Sequence, residues 1–225
     1  SNSASIMTAW PAITGTDMIR LYTWSTPNGV KISIALEEFG LDYEVIPIDI
    51  RKDEQFAPDF LAISPNNKIP AVVDGEVSLF ESGAILLYLA HKTGKLAPPQ
   101  GTPGYFQMMQ WLMWQAAHFG PMLGQVHHFL KFNPGKSVYA EHRYYQEALR
   151  LYRVLNDRLN ERDYIADEFS IVDIATWPWA SRFEFQQIDL DDFPNVERWY
   201  LALADRPAFQ RGYAVPNANW RIPRP

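Results

Sequence analysis

The sequence predicts an α/β N-terminal domain followed by an all-α C-terminal domain. Three observations predict it. Before about residue 95, short strand-like apolar runs alternate with helix-periodic ones. Between residues 94 and 104, Gly94, Pro98, Pro99 and Pro103 mark a linker. From Tyr105 onward the periodic segments are nearly all helical. The domains are set at residues 18–96 and 103–213, with an N-terminal extension 1–17 and a tail 214–225.

The elements follow in order. Residues 19–23 read as a strand, and 27–39 as a helix that carries Val30, Ile34 and Leu36 and stops at Gly40. Residues 43–50 read as a second strand, and a helix is expected near 55–63, between Pro58 and Pro65. Runs 69–73 and 77–80 flank Asp74-Gly75, a dipeptide that suits a tight hairpin. A helix from Glu81 to about Lys92 completes a mixed sheet with helices packed on it. Beyond the linker, helices are expected over 105–130, 138–159, 171–185 and 195–204, with a short turn after Pro207. The tail from residue 217 is proline-rich and aperiodic.

Composition limits the function classes. A chain of 225 residues, 47% apolar and 14% aromatic, has ample core for one large or two small domains. A net charge of −6 gives no electrostatic footprint for nucleic acid. No apolar run approaches membrane-spanning length. Residues 1–17 lack the basic-then-apolar order of a signal peptide, and Met7 and Met18 both fit as starts. Cysteine is absent, which excludes disulfides, zinc–thiolate sites and a catalytic thiol supplied by the protein; a cytosolic compartment fits.

The chemistry concentrates at two places. At the hairpin, Pro70 has no N–H to give to a ladder, and Ile69-Pro70 is a candidate cis bond. A bend there turns the Ile69 backbone outward, toward an extended peptide. Glu81-Ser82 stands at the following helix start, where free N–H groups bind carboxylates. A plain hairpin and helix cap with no ligand is the competing reading. At the end of the first strand, Ser25, Thr26 and Asn28 could each donate to an anion such as a thiolate. Helix capping by Thr26, with Pro27 in the first turn, is compatible with that role. Further along, Ser170 and Asp173 form a capping-box pair, with Phe169 and Ile174 at staple positions, so Asp173 reads as a folding element.

With these pieces assembled, residues 18 to about 213 resemble the cytosolic glutathione transferase superfamily, with a thioredoxin-like first domain. The segments Thr-Pro-Asn-Gly (26–29), Ser-Pro-Asn-Asn-Lys-Ile-Pro (64–70) and Leu-Phe-Glu-Ser-Gly-Ala-Ile (79–85) look like the nu class, also described as yeast prion-protein-like. Gly120-Pro121-Met122-Leu123-Gly124-Gln125 and His127-His128-Phe129 strengthen that likeness.

The resemblance implies that Glu81 and Ser82 hold the γ-glutamyl end of glutathione and that the Ile69 backbone, beside Pro70, pairs with its cysteinyl unit. It implies that Lys68 and Gln55 meet the glycyl end or other polar ligand atoms. Thr26 and Asn28 would sit at the sulfur, with Ser25 as their rival. It also implies two glutathione molecules, or one glutathione disulfide, per subunit, disulfide-bond reductase activity without a metal, and a homodimer. Gln125, His127, His128 and Arg143 are the candidates for the second-ligand region. Two adjacent helical histidines cannot both face the cleft. Trp111, Met113, Trp114 and Met122 read as core or dimer contact. The alternatives are a conventional transferase or peroxidase acting on small electrophiles or hydroperoxides, and a non-catalytic binding or regulatory module.

Overall fold

The computed structural model describes residues 18–225; the expected N-terminal extension, 1–17, lies outside the described residues. Strand β1 (Ile19–Thr23) buries alternate residues and runs parallel to β2 (Tyr43–Pro47) and antiparallel to β3 (Ala71–Asp74). Strand β4 (Val77–Phe80) pairs antiparallel with β3, so the four-stranded mixed sheet has the order β2-β1-β3-β4.

Local chemistry moves several boundaries. The second strand ends at Pro47 rather than residue 50. Beyond it the Asp49 carboxylate accepts from the backbone N–H and the guanidinium of Arg51 and caps a 3₁₀ turn, Ile50–Lys52. The helix expected over 55–63 is divided into a 3₁₀ turn, Glu54–Phe56, and a short α2 (Pro58–Leu61) that begins on its proline. The Ile69-Pro70 peptide is cis, and β3 starts at Ala71, one residue past the proline that cannot donate to the ladder. The hairpin turn is Gly75-Glu76 rather than Asp74-Gly75, with Gly75 at φ +59°. Asp74 stays in the ladder opposite Val77, and its buried carboxylate accepts from the Tyr88 hydroxyl at 2.7 Å and from the Lys92 ammonium.

Helix α1 (Pro27–Phe39) joins the two halves of the molecule. It is buried along most of its length and stops at Gly40. It packs against α3 (Ser82–Thr93), α7 (Ile171–Ala180) and α9 (Pro207–Tyr213). Between them stand α4 (Pro103–Trp114), α5 (Gly120–Val126), α6 (Val138–Arg158) and α8 (Pro194–Ala204).

The helix expected over 105–130 is a longer rod with two π-helical turns, Gln115–Phe119 and His127–Phe132. Pro121 gives the first its cause. A proline lacks the N–H for an i−4 carbonyl and its ring crowds that carbonyl, so the chain widens and Gly120 N–H reaches Gln115 C=O instead. The helix expected over 171–185 stops at Ala180. Pro178 lies in its last turn, the Ser181 hydroxyl donates to the Pro178 carbonyl, and a 3₁₀ turn, Phe183–Gln186, follows.

Aromatic packing centres on Trp177. Its indole stacks on Tyr200 at 5.1 Å, meets Phe209 edge-on at 5.0 Å and donates to the Tyr200 carbonyl. Burying each such ring contributes about 1.5–3 kcal/mol. Asp173 accepts from the N–H of Ser170 and Ile165 and from the Trp199 indole, while Ser170 Oγ accepts from Val172 N–H. The carboxylate thus ties the α7 start to a loop and to α8, as expected of a folding element.

Candidate functional site

The turn after β1 is built by capping. Thr26 Oγ1 accepts from Gly29 N–H at 3.0 Å, which leaves the threonine hydrogen free to donate. Ser25 is held through its carbonyl by the Arg182 guanidinium at 3.4 Å, and neither Ser25 nor Thr26 lines either of the two cavities at the site. Asn28 lines both. Its Oδ1 accepts from the Trp179 indole N–H at 3.1 Å. An indole nitrogen only donates, so the amide orientation is fixed and the Asn28 NH₂ remains available to a ligand.

The smaller cavity, about 240 Å³, is lined by Asn28, Lys68, Ile69, Pro70, Phe80, Glu81 and Ser82. Sequence reasoning expected all of these except Phe80. The Ser64 hydroxyl takes the Lys68 carbonyl, whereas the N–H and C=O of Ile69 pair with no other group among the described residues. Glu81 occupies φ +72°, ψ +111°, a conformation that costs a non-glycine residue about 1–3 kcal/mol. It directs the carboxylate side chain out at the mouth of both cavities. Gln55 lies outside the two cavities, and its Oε1 is buried without a partner.

The larger cavity, about 470 Å³, shares Asn28, Glu81 and Ser82 with the smaller. Its far wall is Met113, Ala116, Pro121, Gly124 and Trp179, and its floor carries Lys31 and Gln115. Met113, expected with Trp111, Trp114 and Met122 as core or interface, is 48% exposed and belongs to this wall, whereas the other three pack on the core. Gly120 keeps the floor open, since a Cβ there would lie 2.8 Å from Gln115 Nε2.

Lys31, Gln115 and Trp179 were missed by sequence reasoning. Lys31 had a signal: a lysine three residues after Asn28, set among Val30, Ile32, Ile34 and Leu36. Gln115 had a weaker one, the Gly120-Pro121 pair that widens its turn. Trp179 had none.

The residues expected at a second ligand stand apart from the walls of these two cavities. Gln125, His128 and Arg143 are exposed and line neither cavity. His127 is buried behind Trp179, with ring centroids 5.5 Å apart. The Gln186 amide donates to its Nε2 at 3.0 Å and to the Trp179 carbonyl, while Gln186 Oε1 accepts from the Tyr152 hydroxyl. Nε2 of His127 is therefore an acceptor and its proton sits on Nδ1. Burial, with the nearby Arg182 charge, lowers its pKa to about 4, so the ring is neutral near pH 7. Its position is that of a support for Trp179. Only one of the adjacent histidines faces inward, as helical geometry requires. Among the described residues no group of His, Asp or Glu side chains is placed to hold a metal.

A mixed four-stranded sheet, a cis proline beside an open backbone and a helical domain closing over a cleft define a class of protein. The N-terminal domain of glutathione S-transferase matches residues 18–91 and the C-terminal domain matches residues 119–207. The chain belongs to the glutathione S-transferase family. It is 51% identical over 199 residues to the disulfide-bond oxidoreductase YfcG of Escherichia coli (strain K12), covering 85% of this chain and 92% of that one. A glutathione transferase from Pseudomonas putida with one glutathione disulfide bound per subunit superposes with a TM-score of 0.84, at 41% identity over 92% of this chain and 95% of that chain. One from Burkholderia graminis with two glutathione molecules per subunit gives 0.84 at 43% identity, over 92% of each chain.

Proposed function

We propose that this protein is a glutathione-dependent disulfide-bond oxidoreductase of the nu class, using two bound glutathione molecules, or glutathione disulfide, per subunit. One observation carries the reading: two cavities meet at Asn28, Glu81 and Ser82 in a chain without cysteine. Both reacting thiols are then ligand thiols, and the protein's task is to hold them together and acidify one.

The first glutathione lies in the smaller cavity, with its γ-glutamyl end at the boundary the two cavities share. Its cysteinyl unit pairs with the Ile69 backbone beside Pro70, its γ-glutamyl end lies at Glu81 and Ser82, and its glycyl end lies near Lys68, with Gln55 beyond. The thiolate accepts from the Asn28 amide and the Thr26 hydroxyl, in the positive field of the α1 start. It attacks one sulfur of a small disulfide in the larger cavity, forming a mixed disulfide and expelling a thiolate that takes up a proton. A second glutathione thiolate then attacks the mixed disulfide. The sum is two glutathione plus one disulfide giving glutathione disulfide plus two thiols.

The identity to YfcG and the two ligand-bound relatives support this reading. We assign it two domains, at residues 18–96 and 103–213, a homodimeric state and a cytoplasmic location. Light scattering should give about twice the 25.9 kDa chain mass.

The deciding experiment measures glutathione-dependent reduction of 2-hydroxyethyl disulfide beside conjugation of a chlorinated nitrobenzene. The reading expects strong reduction, weak conjugation and no glutathione covalently attached to the protein in mass spectra taken during turnover. Conjugation without reduction would make it a conventional transferase, and loss of both activities would leave a binding module.

A further inference from the structure

Lys31 is 2% exposed, yet no carboxylate pairs with it among the described residues. Its ammonium donates to Gln115 Oε1 at 3.0 Å and to Ser82 Oγ at 3.3 Å. Burying an ammonium without a counter-charge is costly. Desolvation lowers its pKa to about 7, partly opposed by Glu81.

Each of its two partners keeps a donor of its own to spare. An ammonium cannot accept, so the Gln115 atom facing it is the oxygen, and Gln115 Nε2 is left buried with no partner at the cavity floor. Ser82 accepts from Lys31 and so keeps its own hydrogen to give away. Ser82 also opens α3, whose first N–H groups are free. A cation, a hydroxyl, an amide N–H and a helix start converge at one end of the cavity, with the Glu81 carboxylate beside them. An α-amino acid group has the matching charges: a carboxylate for the donors and an ammonium for Glu81.

We propose that Lys31 is the buried counter-charge for the α-carboxylate of the γ-glutamyl unit, held in place by Gln115 and acting with and through Ser82. The assignment rests on the glutathione reading of the same site. It makes Lys31 a positioning and specificity residue, and it accounts for a lysine in the buried stretch 29–36 of α1.

The binding step then takes up a proton. Burial brings the Lys31 pKa to about 7, so near pH 8 a carboxylate that binds beside it draws a proton onto the amine. Other charges near α1 are accounted for. Glu81 is the charge that acts on Lys31, Glu37 and Glu38 of α1 pair with Arg211 and Arg206, and Asp173 of α7 is tied into its capping box. Trp179 and Gln115 are neutral.

Calorimetry with S-methylglutathione, whose sulfur cannot release a proton, tests this in two buffers of different ionisation heat near pH 8. The wild type should take up most of one proton per site. An analogue lacking the γ-glutamyl α-carboxylate should bind with no uptake. Lys31→Met should lose about 10- to 100-fold in affinity for S-methylglutathione, show no uptake, and bind the decarboxylated analogue as the wild type does. Tight binding by the wild type without proton uptake, or equal loss of both ligands in Lys31→Met, overturns the proposal and leaves the glutathione reading standing. Failure of the wild type to bind S-methylglutathione overturns both. The wild-type comparison of the two ligands decides even if the variant does not fold.

Discussion

The indole N–H of Trp179 donates to Asn28 Oδ1 across 3.1 Å, joining the helical domain to the start of α1 over 151 positions of sequence. The bond fixes which end of the amide faces the two cavities. Trp179 is itself held from behind, by His127 against its ring and by Gln186 on its carbonyl. The helical domain thereby sets the orientation of a donor that belongs to the sheet domain.

Replacing Trp179 with phenylalanine frees the Asn28 amide to rotate. Disulfide reduction should fall roughly 2- to 10-fold, the value of one neutral hydrogen bond. Asn28→Ala removes a donor to a charged sulfur and should cost roughly 10- to 100-fold. Thiolate ultraviolet absorbance against pH should show the bound sulfur's pKa rising in both. An unchanged profile in Asn28→Ala would take the amide out of sulfur activation.

Thr26 and Ser25 separate by a different pair of measurements. Thr26 caps α1, so Thr26→Ala should lower stability by about 1 kcal/mol as well as turnover. Ser25 is anchored through its carbonyl, which any residue supplies, so Ser25→Ala should change neither by much. Urea midpoints and turnover recorded on the same preparations check both. Lost turnover in Ser25→Ala alone would reverse the assignment.

Glu81 carries an opposed pair of effects. Glu81→Ala should weaken glutathione binding by about 1.5–3 kcal/mol, the range for a charge-assisted hydrogen bond. Glu81→Gly should lose the same affinity while gaining thermal stability, because glycine tolerates the φ of +72° without penalty. Calorimetry and melting of the two variants test this, and full affinity in Glu81→Ala would show that the ligand lies in another orientation.

Acid should unfold the protein through His127. Its folded pKa, about 4, lies below the ordinary value of 6.5, so the unfolded chain binds the proton more tightly. The resulting stability is fully present above about pH 6.5 and is lost as pH falls toward 4, amounting to at most about 3 kcal/mol. His127→Gln keeps an acceptor for Gln186 but does not titrate. Its stability should fall less over that range in urea titrations at stepped pH, and a curve parallel to the wild type would exclude His127 as the cause.

Legibility in the sequence followed the range of the interaction. Strand β1, helix α1, the cis proline and the Ser170–Asp173 box are set by neighbours within a few residues, and each stands where periodicity and turn chemistry put it. The wall of the smaller cavity was legible for the same reason, since most of it comes from the short stretch 68–82. Boundaries failed where a side chain reached further than a local rule allows. The buried Asp74 carboxylate, answering Tyr88 and Lys92, moved the hairpin turn by one residue. The larger cavity draws on the α1 start, the rod 113–124 and Trp179, which are far apart in sequence, and His127, His128, Gln125 and Arg143 do not line it. A one-residue change in helical pitch decides which side chains face inward, and spacing alone does not reveal it.

That pitch makes the width of the cleft a question of counting. In the turn Gln115–Phe119 the chain spends one residue more than an α-helix needs. That surplus keeps the helix on either side in register, whereas deleting a single residue from the α-helical stretch ahead of it, Gln110 for instance, would swing everything beyond it by about 100° around the rod. Gly120, Pro121 and Gly124 would leave the wall opposite Trp179, and bulkier neighbours would take their places. A gene could thus open or shut this chamber by one codon, with every residue that grips glutathione left intact.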